Sequence, residues 1–121
     1  MVKALFDTNI LIDPLQGRPE AHREMLRYRE HAISLVTWME VMAGVAPEHA
    51  AETEAFLRAF DIIAIDAPIA GRAVEIRRSR RIKLPDAIIQ ASAEVHSLLL
   101  VTRNTKDFDE SSSGVRIPYQ F

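Results

Sequence analysis

Four short, largely apolar runs recur along this chain: VKALF (residues 2–6), AISLV (32–36), DIIAI (61–65) and LLLV (98–101), with helix-like segments between them. Runs of this length without polar alternation suit strands that are covered on both faces. A strand that returns parallel to its predecessor needs a long crossover, and a helix is the usual one. The pattern therefore predicts an α/β fold with a mainly parallel sheet between helical layers. GVRIPYQF at the end adds an edge strand, since Pro118 argues against a central one.

The intervening segments carry their own signals. TNILIDPL (8–15) turns the chain over, with Pro14 limiting any helix that starts there. Residues 19–30, PEAHREMLRYRE, read as a surface helix with few apolar anchors beyond Met25 and Leu26. WMEVMAG runs as a helix to Gly44, after Thr37. PEHAAETEAFLRAF opens on Pro47 and sets Phe56, Leu57 and Phe60 on one face. Asp66 caps a helix with a core stripe of Ile69, Ala73 and Ile76. PDAIIQASAEVHS enters at Pro85, and Ala87, Ala91 and Ala93 allow close packing. No linker, repeat or low-complexity stretch interrupts these elements, and SSSG (111–114) is a local loop. The expectation is a single domain over residues 1–121.

Composition removes several function classes. There is no cysteine, which excludes a disulfide framework, a cysteine zinc site and a thiol nucleophile. No signal-peptide pattern or membrane-length apolar run is visible, so a cytoplasmic location is expected. The four histidines (His22, His31, His49, His96) lack metal-ligand spacing. Net charge is only -2, yet five of the fifteen basic residues crowd into RRSRRIK: Arg77, Arg78, Arg80, Arg81 and Lys83. Such a run is either a solvated helix end, where cations complement the dipole, or a footprint for a phosphate backbone.

In open parallel sheets, ligands gather at the carboxyl ends of the strands. Asp7 falls there after the first run, Glu40 in the first turn of the helix after the second, and Asp86 at the start of the helix that leads to the fourth. Asn104 and Asp107 follow the fourth run. Each also has a local role open to it. Thr37-x-x-Glu40 matches a capping box, Asp86 complements a helix dipole, and Asp7 and Asn104 suit Asx-turns. Brought to one rim, the carboxylates would repel and raise one another's pKa values. A hard cation relieves that, and oxygen-only ligands suit Mg²⁺ or Mn²⁺.

LFDTNILID, SLVTWMEVMAG and LPDAIIQASAEVHSLLLVTRNTKDF, in that order, resemble the PIN-domain ribonucleases, and most closely the VapC-type toxins of toxin–antitoxin pairs. The resemblance spans almost the whole chain. It implies a PIN-like three-layer sandwich with four to five strands, an RNA substrate, a small antitoxin partner and a homodimer. Asp7, Glu40 and Asp86 match the family's first three acids. The fourth usually stands in a T-x-D pattern, where this chain has Thr102-Arg103-Asn104. The resemblance passes that role to Asp107, one helical turn further on. Thr8, Thr37, Thr102 and Asn104 would support the acids. Asp7 and Asp86 would be the principal metal ligands, completed by Glu40 and Asp107, for RNA hydrolysis by a metal-activated water.

Other classes fit less well. A phosphatase that starts from an aspartate after a strand wants a second acid two residues on, and this chain has Asn9. A receiver domain lacks its acidic pair, and no phosphate-binding glycine loop or dinucleotide fingerprint is present. The Asn104 departure keeps one alternative open: a PIN-like module that binds RNA or protein without cutting it. Trp38 and Tyr28 are aromatic candidates for stacking a base, but neither is assigned that role.

Overall fold

In the computed structural model, which describes residues 3–121, five strands form one parallel sheet. They are β1 (Ala4–Phe6), β2 (His31–Ser34), β3 (Asp61–Ile63), β4 (Leu99–Val101) and β5 (Val115–Arg116). Val2, the start of the first apolar run, lies outside the described residues. The strand order is β3-β2-β1-β4-β5. The chain thus builds outward from β1 in one direction, then returns to β1's other side with β4. That reversal opens a crevice beyond the carboxyl ends of β1 and β4. Phe6 lies in register with Val101, so Asp7 and Thr102 leave the sheet side by side.

The strand period of two sends alternate side chains to opposite faces. Ala4 and Phe6 join one core with Ile33 and Val101, under α1 (Thr8–Leu15), α2 (Glu20–Met25), α3 (Leu35–Gly44) and α4 (Ala50–Leu57). Phe6 is fully buried there and meets the rings of Tyr28 and Phe60 edge-on at 5.9 and 6.1 Å. Leu5 and Leu100 point the other way, onto Ile89, Ala93 and Phe108. That face is covered by α6 (Leu84–Val95). Beside it, α5 (Ala67–Ser79) packs Ile69, Ala73 and Ile76 against Ala87 and Ala91. The alanines let the two helices approach closely, and Arg72 Nε donates to Glu94 Oε1 at 2.7 Å across their exposed seam. None of the described helices is long and apolar enough to cross a membrane.

Several boundaries differ from the sequence expectation. The run AISLV is strand only to Ser34. Its hydroxyl accepts from Val36 N at 3.1 Å, so Leu35 and Val36 open α3 instead of ending β2. Thr37 is therefore already inside the helix and not its cap. Glu40 stands in the second turn, not the first, so the capping box open to Thr37 and Glu40 as a local alternative is not formed. The helix expected over residues 19–30 shrinks to Glu20–Met25, with one face on the surface (His22, Arg23) and Ala21, Glu24, Met25 and the following Tyr28 buried, while Leu26, expected as an anchor, is exposed. TNILIDPL is a full two-turn helix, with Pro14 tolerated in its last turn. β3 stops at Ile63 as an exposed edge, where Asp61 pairs with Lys3 at 2.6 Å. The expectations for Asp66 as cap, for α5 and for α6 match, and Val115–Arg116 forms the terminal edge strand.

Candidate active site

The crevice beyond β1 and β4 is lined by a hydrogen-bonded set centred on Asp7, which is only 3% exposed. Its Oδ1 accepts from Thr8 N at 2.7 Å, capping α1. Its Oδ2 accepts from the Thr102 hydroxyl at 2.7 Å and from Asn9 Nδ2 at 3.2 Å. Thr102 is wholly buried and uses its hydroxyl fully. It donates to Asp7 and accepts from Asn104 N at 3.0 Å. Burial pushes the Asp7 carboxyl up; the Thr102 hydroxyl, Thr8 N–H and Asn9 amide oppose this, and the Glu40 charge adds to it.

Glu40 projects from α3 and is exposed, with Oε1 accepting from the Thr8 hydroxyl at 2.6 Å. The same Thr8 oxygen lies 3.1 Å from the buried Thr37 hydroxyl. One hydroxyl carries one proton, and the shorter bond to a carboxylate claims it. Thr37 is therefore the donor in the second contact. Thr37 steadies Thr8, and Thr8 holds Glu40.

Asp86 is the third residue of α6 and is half-buried. Its pKa is pushed up to about 6, first by burial and then by the charges of Asp7, Asp107 and Glu40, against a smaller opposing pull from Lys83. Asp86 thus senses all three other acids. Asp107 reaches the rim from the loop after β4. Asn104 grips it twice: Asn104 Oδ1 accepts from Asp107 N at 3.1 Å, and Asn104 Nδ2 donates to Asp107 Oδ2 at 3.0 Å. Asn104 sits where an acid was looked for and instead orients the acid that follows it.

Among the described residues, no lysine or arginine forms an ion pair with Asp7, Glu40, Asp86 or Asp107. Nor do three acids or imidazoles among them already stand at metal-ligand spacing. Hydroxyls and amides hold Asp7, Glu40 and Asp107 individually. A set of oxygen donors with like charges facing one another fits a hard divalent cation.

The basic run divides. Arg77 and Arg78 end α5 and are exposed, as are Arg81 and Lys83. Ile82 between them is a core residue. Arg80 alone turns inward, onto the Gln90 side chain and the Asp107 backbone carbonyl. Trp38 packs against the core, and the buried Tyr28 donates to Glu24 at 2.6 Å, so neither presents a free ring. Asp109 and Glu110 face solvent.

Sequence reasoning passed over Asn9, noting it only as a missing acid. Its Nδ2 serves Asp7, and its Oδ1 accepts from Arg103 N at 3.1 Å, tying α1 to the segment after β4. The signal was present in DTN: an amide two residues after an acid at a strand end can donate and accept at once, which a carboxylate cannot.

A PIN domain family model matches residues 4–112. The chain is 33% identical to a protein of Shigella flexneri named tRNA(fMet)-specific endonuclease VapC, over 96% of each chain. Among solved structures, a toxin–antitoxin complex from Klebsiella pneumoniae contains a chain with 50% identity and a TM-score of 0.91, over 98% of this chain and 99% of that one. The DNA-bound VapBC of Salmonella typhimurium gives 30% identity and a TM-score of 0.80, over 97% of each.

Proposed function

This chain belongs to the PIN-domain family, among its VapC-type members, and on that premise we propose that it is a Mg²⁺-dependent endoribonuclease acting in the cytoplasm as the toxin of a toxin–antitoxin pair. What supports the reading is that the charges of Asp7, Asp107 and Glu40 all raise Asp86 against a smaller pull from Lys83, and that among the described residues none of the four acids has an ion-pair partner. Residues 1–121 would act as one domain and pair as a homodimer. A small antitoxin would cover the acidic rim.

Asp7 and Asp86 would hold the cation, with Glu40 and Asp107 completing its shell. Mg²⁺, or Mn²⁺ in its place, would supply charge relief at the phosphoryl group and a lowered pKa for the hydrolytic water. The protein's own part is orientation. Thr102 and Asn9 fix Asp7, Thr8 and Thr37 fix Glu40, and Asn104 fixes Asp107. Such anchoring limits the side-chain reorganisation needed when a cation arrives. Arg77, Arg78, Arg81 and Lys83 are free to attract a phosphate backbone toward Asp86, which α6 places three residues beyond Lys83.

The test is RNA cleavage by wild type and by Asp7→Asn with Asp86→Asn, with folding checked by circular dichroism. Transfer RNA for initiator methionine is the first substrate to try, because the Shigella relative is named for it. Wild type should cut only with Mg²⁺ or Mn²⁺, and the double variant should lose at least roughly 1,000-fold. Undiminished cutting by the double variant would sink the proposed site. RNA binding without cleavage by wild type would favour the non-catalytic module.

A further inference from the structure

We propose that Arg80 is a positioning residue for Asp107, not a contact to the RNA backbone. The inference rests on the metal-site reading above and assigns to one arginine of the basic run a different task from its neighbours. Arg80 follows α5 with extended backbone (φ -131°, ψ 144°), which turns its side chain away from the solvent-facing arginines. One terminal nitrogen donates to Gln90 Oε1 on α6, and the other donates to the Asp107 carbonyl. The guanidinium also lies 5.8 Å from the centre of the Phe108 ring. Gln90 is itself held, donating to Glu94 Oε2 at 2.8 Å, while Glu94 takes Arg72 through its other oxygen. The fork of Arg80 thus fastens a loop to two packed helices.

That loop needs fastening. Asp7 ends a strand and Asp86 opens a helix, so regular structure places both. Asp107 sits in irregular chain between β4 and β5. Its N–H and Oδ2 are bound by Asn104, its carbonyl by Arg80, and the next residue, Phe108, is buried among Leu5 and Ile89. Oδ1 has no hydrogen-bond partner among the described residues. The carboxylate is held at one oxygen by Asn104, on a backbone held by Asn104 and Arg80, and keeps the other oxygen available. Two separate acceptors in different elements demand a planar, two-pronged donor, which lysine cannot imitate. A phosphate contact, by contrast, tolerates lysine as a point charge.

Arg80→Met, Arg80→Lys, Gln90→Ala and Asp7→Asn with Asp86→Asn would be compared with wild type. The readouts are Mn²⁺ affinity by calorimetry without RNA, and transfer-RNA affinity in chelator. Both Arg80 variants should weaken Mn²⁺ binding by roughly 10-fold, as loss of an outer-shell partner does. Gln90→Ala should weaken it in the same direction while keeping the arginine charge. RNA affinity in chelator should stay within about two-fold for Arg80→Lys and Gln90→Ala, because neither changes the charge that phosphates sense. Wild-type Mn²⁺ affinity in both Arg80→Lys and Gln90→Ala would overturn the proposal, as would a defect of Arg80→Met confined to RNA affinity. Should Arg80→Met fold poorly, the other two variants decide. If the Asp7/Asp86 variant loses Mn²⁺ while the Arg80 and Gln90 variants keep it, only the positioning role falls. If the Asp7/Asp86 variant binds Mn²⁺ like wild type, the site reading falls with it.

Discussion

Asp7 and Asp13 begin and nearly end the same short helix, and they are almost equally buried, at 3% and 1% exposed. Their surroundings are opposite. Asp13 is gripped by Arg103 through Nε at 2.7 Å and Nη2 at 2.9 Å, and by the Tyr119 hydroxyl at 2.7 Å. Glu24 repeats the arrangement with Arg116 at 2.6 and 3.1 Å and Tyr28 at 2.6 Å. Burial pushes Glu24 up, but the Arg116 fork and the Tyr28 hydroxyl outweigh it and leave the carboxyl below its ordinary value. Burial, then bonding to Glu24, lifts the Tyr28 phenol to about 12. Asp7 receives hydroxyl and amide donors but no cation, and its carboxyl stays raised. Thr102 and Arg103 divide the two kinds of acid between them: adjacent in sequence, one serves Asp7 and the other Asp13. The lesson is that this fold pairs its structural acids with arginines and leaves the rim acids without an ion-pair partner among the described residues.

The largest expected break in this contrast comes from Asp13→Asn. It strands the Arg103 guanidinium beside an amide and should cost about 3–5 kcal/mol of folding stability, read by urea unfolding. Asp7→Asn should behave differently. It removes a charge that the metal-free fold holds at a disadvantage, while an amide oxygen can still accept one of the donors. Two of its three donors lose their acceptor, so the loss should be about 1–3 kcal/mol in chelator, still below that of Asp13→Asn. Equal losses from the two substitutions would erase the distinction drawn between them.

The same contrast marks what could be read from sequence. α5 and α6 were legible because Pro68 and Pro85 mark their starts and their apolar residues keep a helical spacing. The rim was legible because acids and threonines follow strand ends, and topology alone carries them together. The start of α3 was not, since Leu35 and Val36 are as apolar as a strand would require, and only the Ser34 cap separates the two readings. Tyr28 looked like a surface residue because nothing local announces the Glu24–Arg116 pair that receives it, 92 residues apart in its own partners. Arg80 was hidden in the same way. Five basic residues in seven look alike in a string, and only the direction in which the chain leaves α5 separates one of them.

Acid separates the two kinds of carboxylate by sign. Asp86 has a folded pKa of about 6 against an ordinary 3.8, so its charge opposes the metal-free fold above pH 6. As pH falls from 6 toward 3.8 the folded state takes up a proton first, and stability rises. Glu24 runs the other way, contributing above its ordinary 4.5 and losing that contribution as pH falls below it. The metal-free protein should therefore melt highest near about pH 5, with the Asp86 gain at or under about 1 kcal/mol because the group is partly solvated. Added Mg²⁺ should raise the melting temperature at pH 7.5 and do little at pH 5, where the proton competes. A melting temperature that falls steadily from pH 7.5 to 5 in chelator would contradict the assignment of Asp86 to an uncompensated rim.

The smallest effect is expected where sequence proximity is most misleading. Asp109 and Glu110 lie two and three residues beyond Asp107, and with it they line a cavity of about 890 Å³ between α6 and the loop after β4. Both are exposed, and the Ser111 N–H holds the Asp109 carboxyl below its ordinary value, a local Asx-turn in water. Neither is among the charges that raise Asp7 or Asp86, unlike Glu40 and Asp107. Asp109→Asn and Glu110→Gln should leave Mn²⁺ affinity within about two-fold of wild type by calorimetry, whereas Asp107→Ala should weaken it by roughly 10-fold or more. A loss from Asp109→Asn as large as that from Asp107→Ala would mean that nearness to the rim, and not the orientation that Asn104 gives Asp107, decides which acids the cation uses.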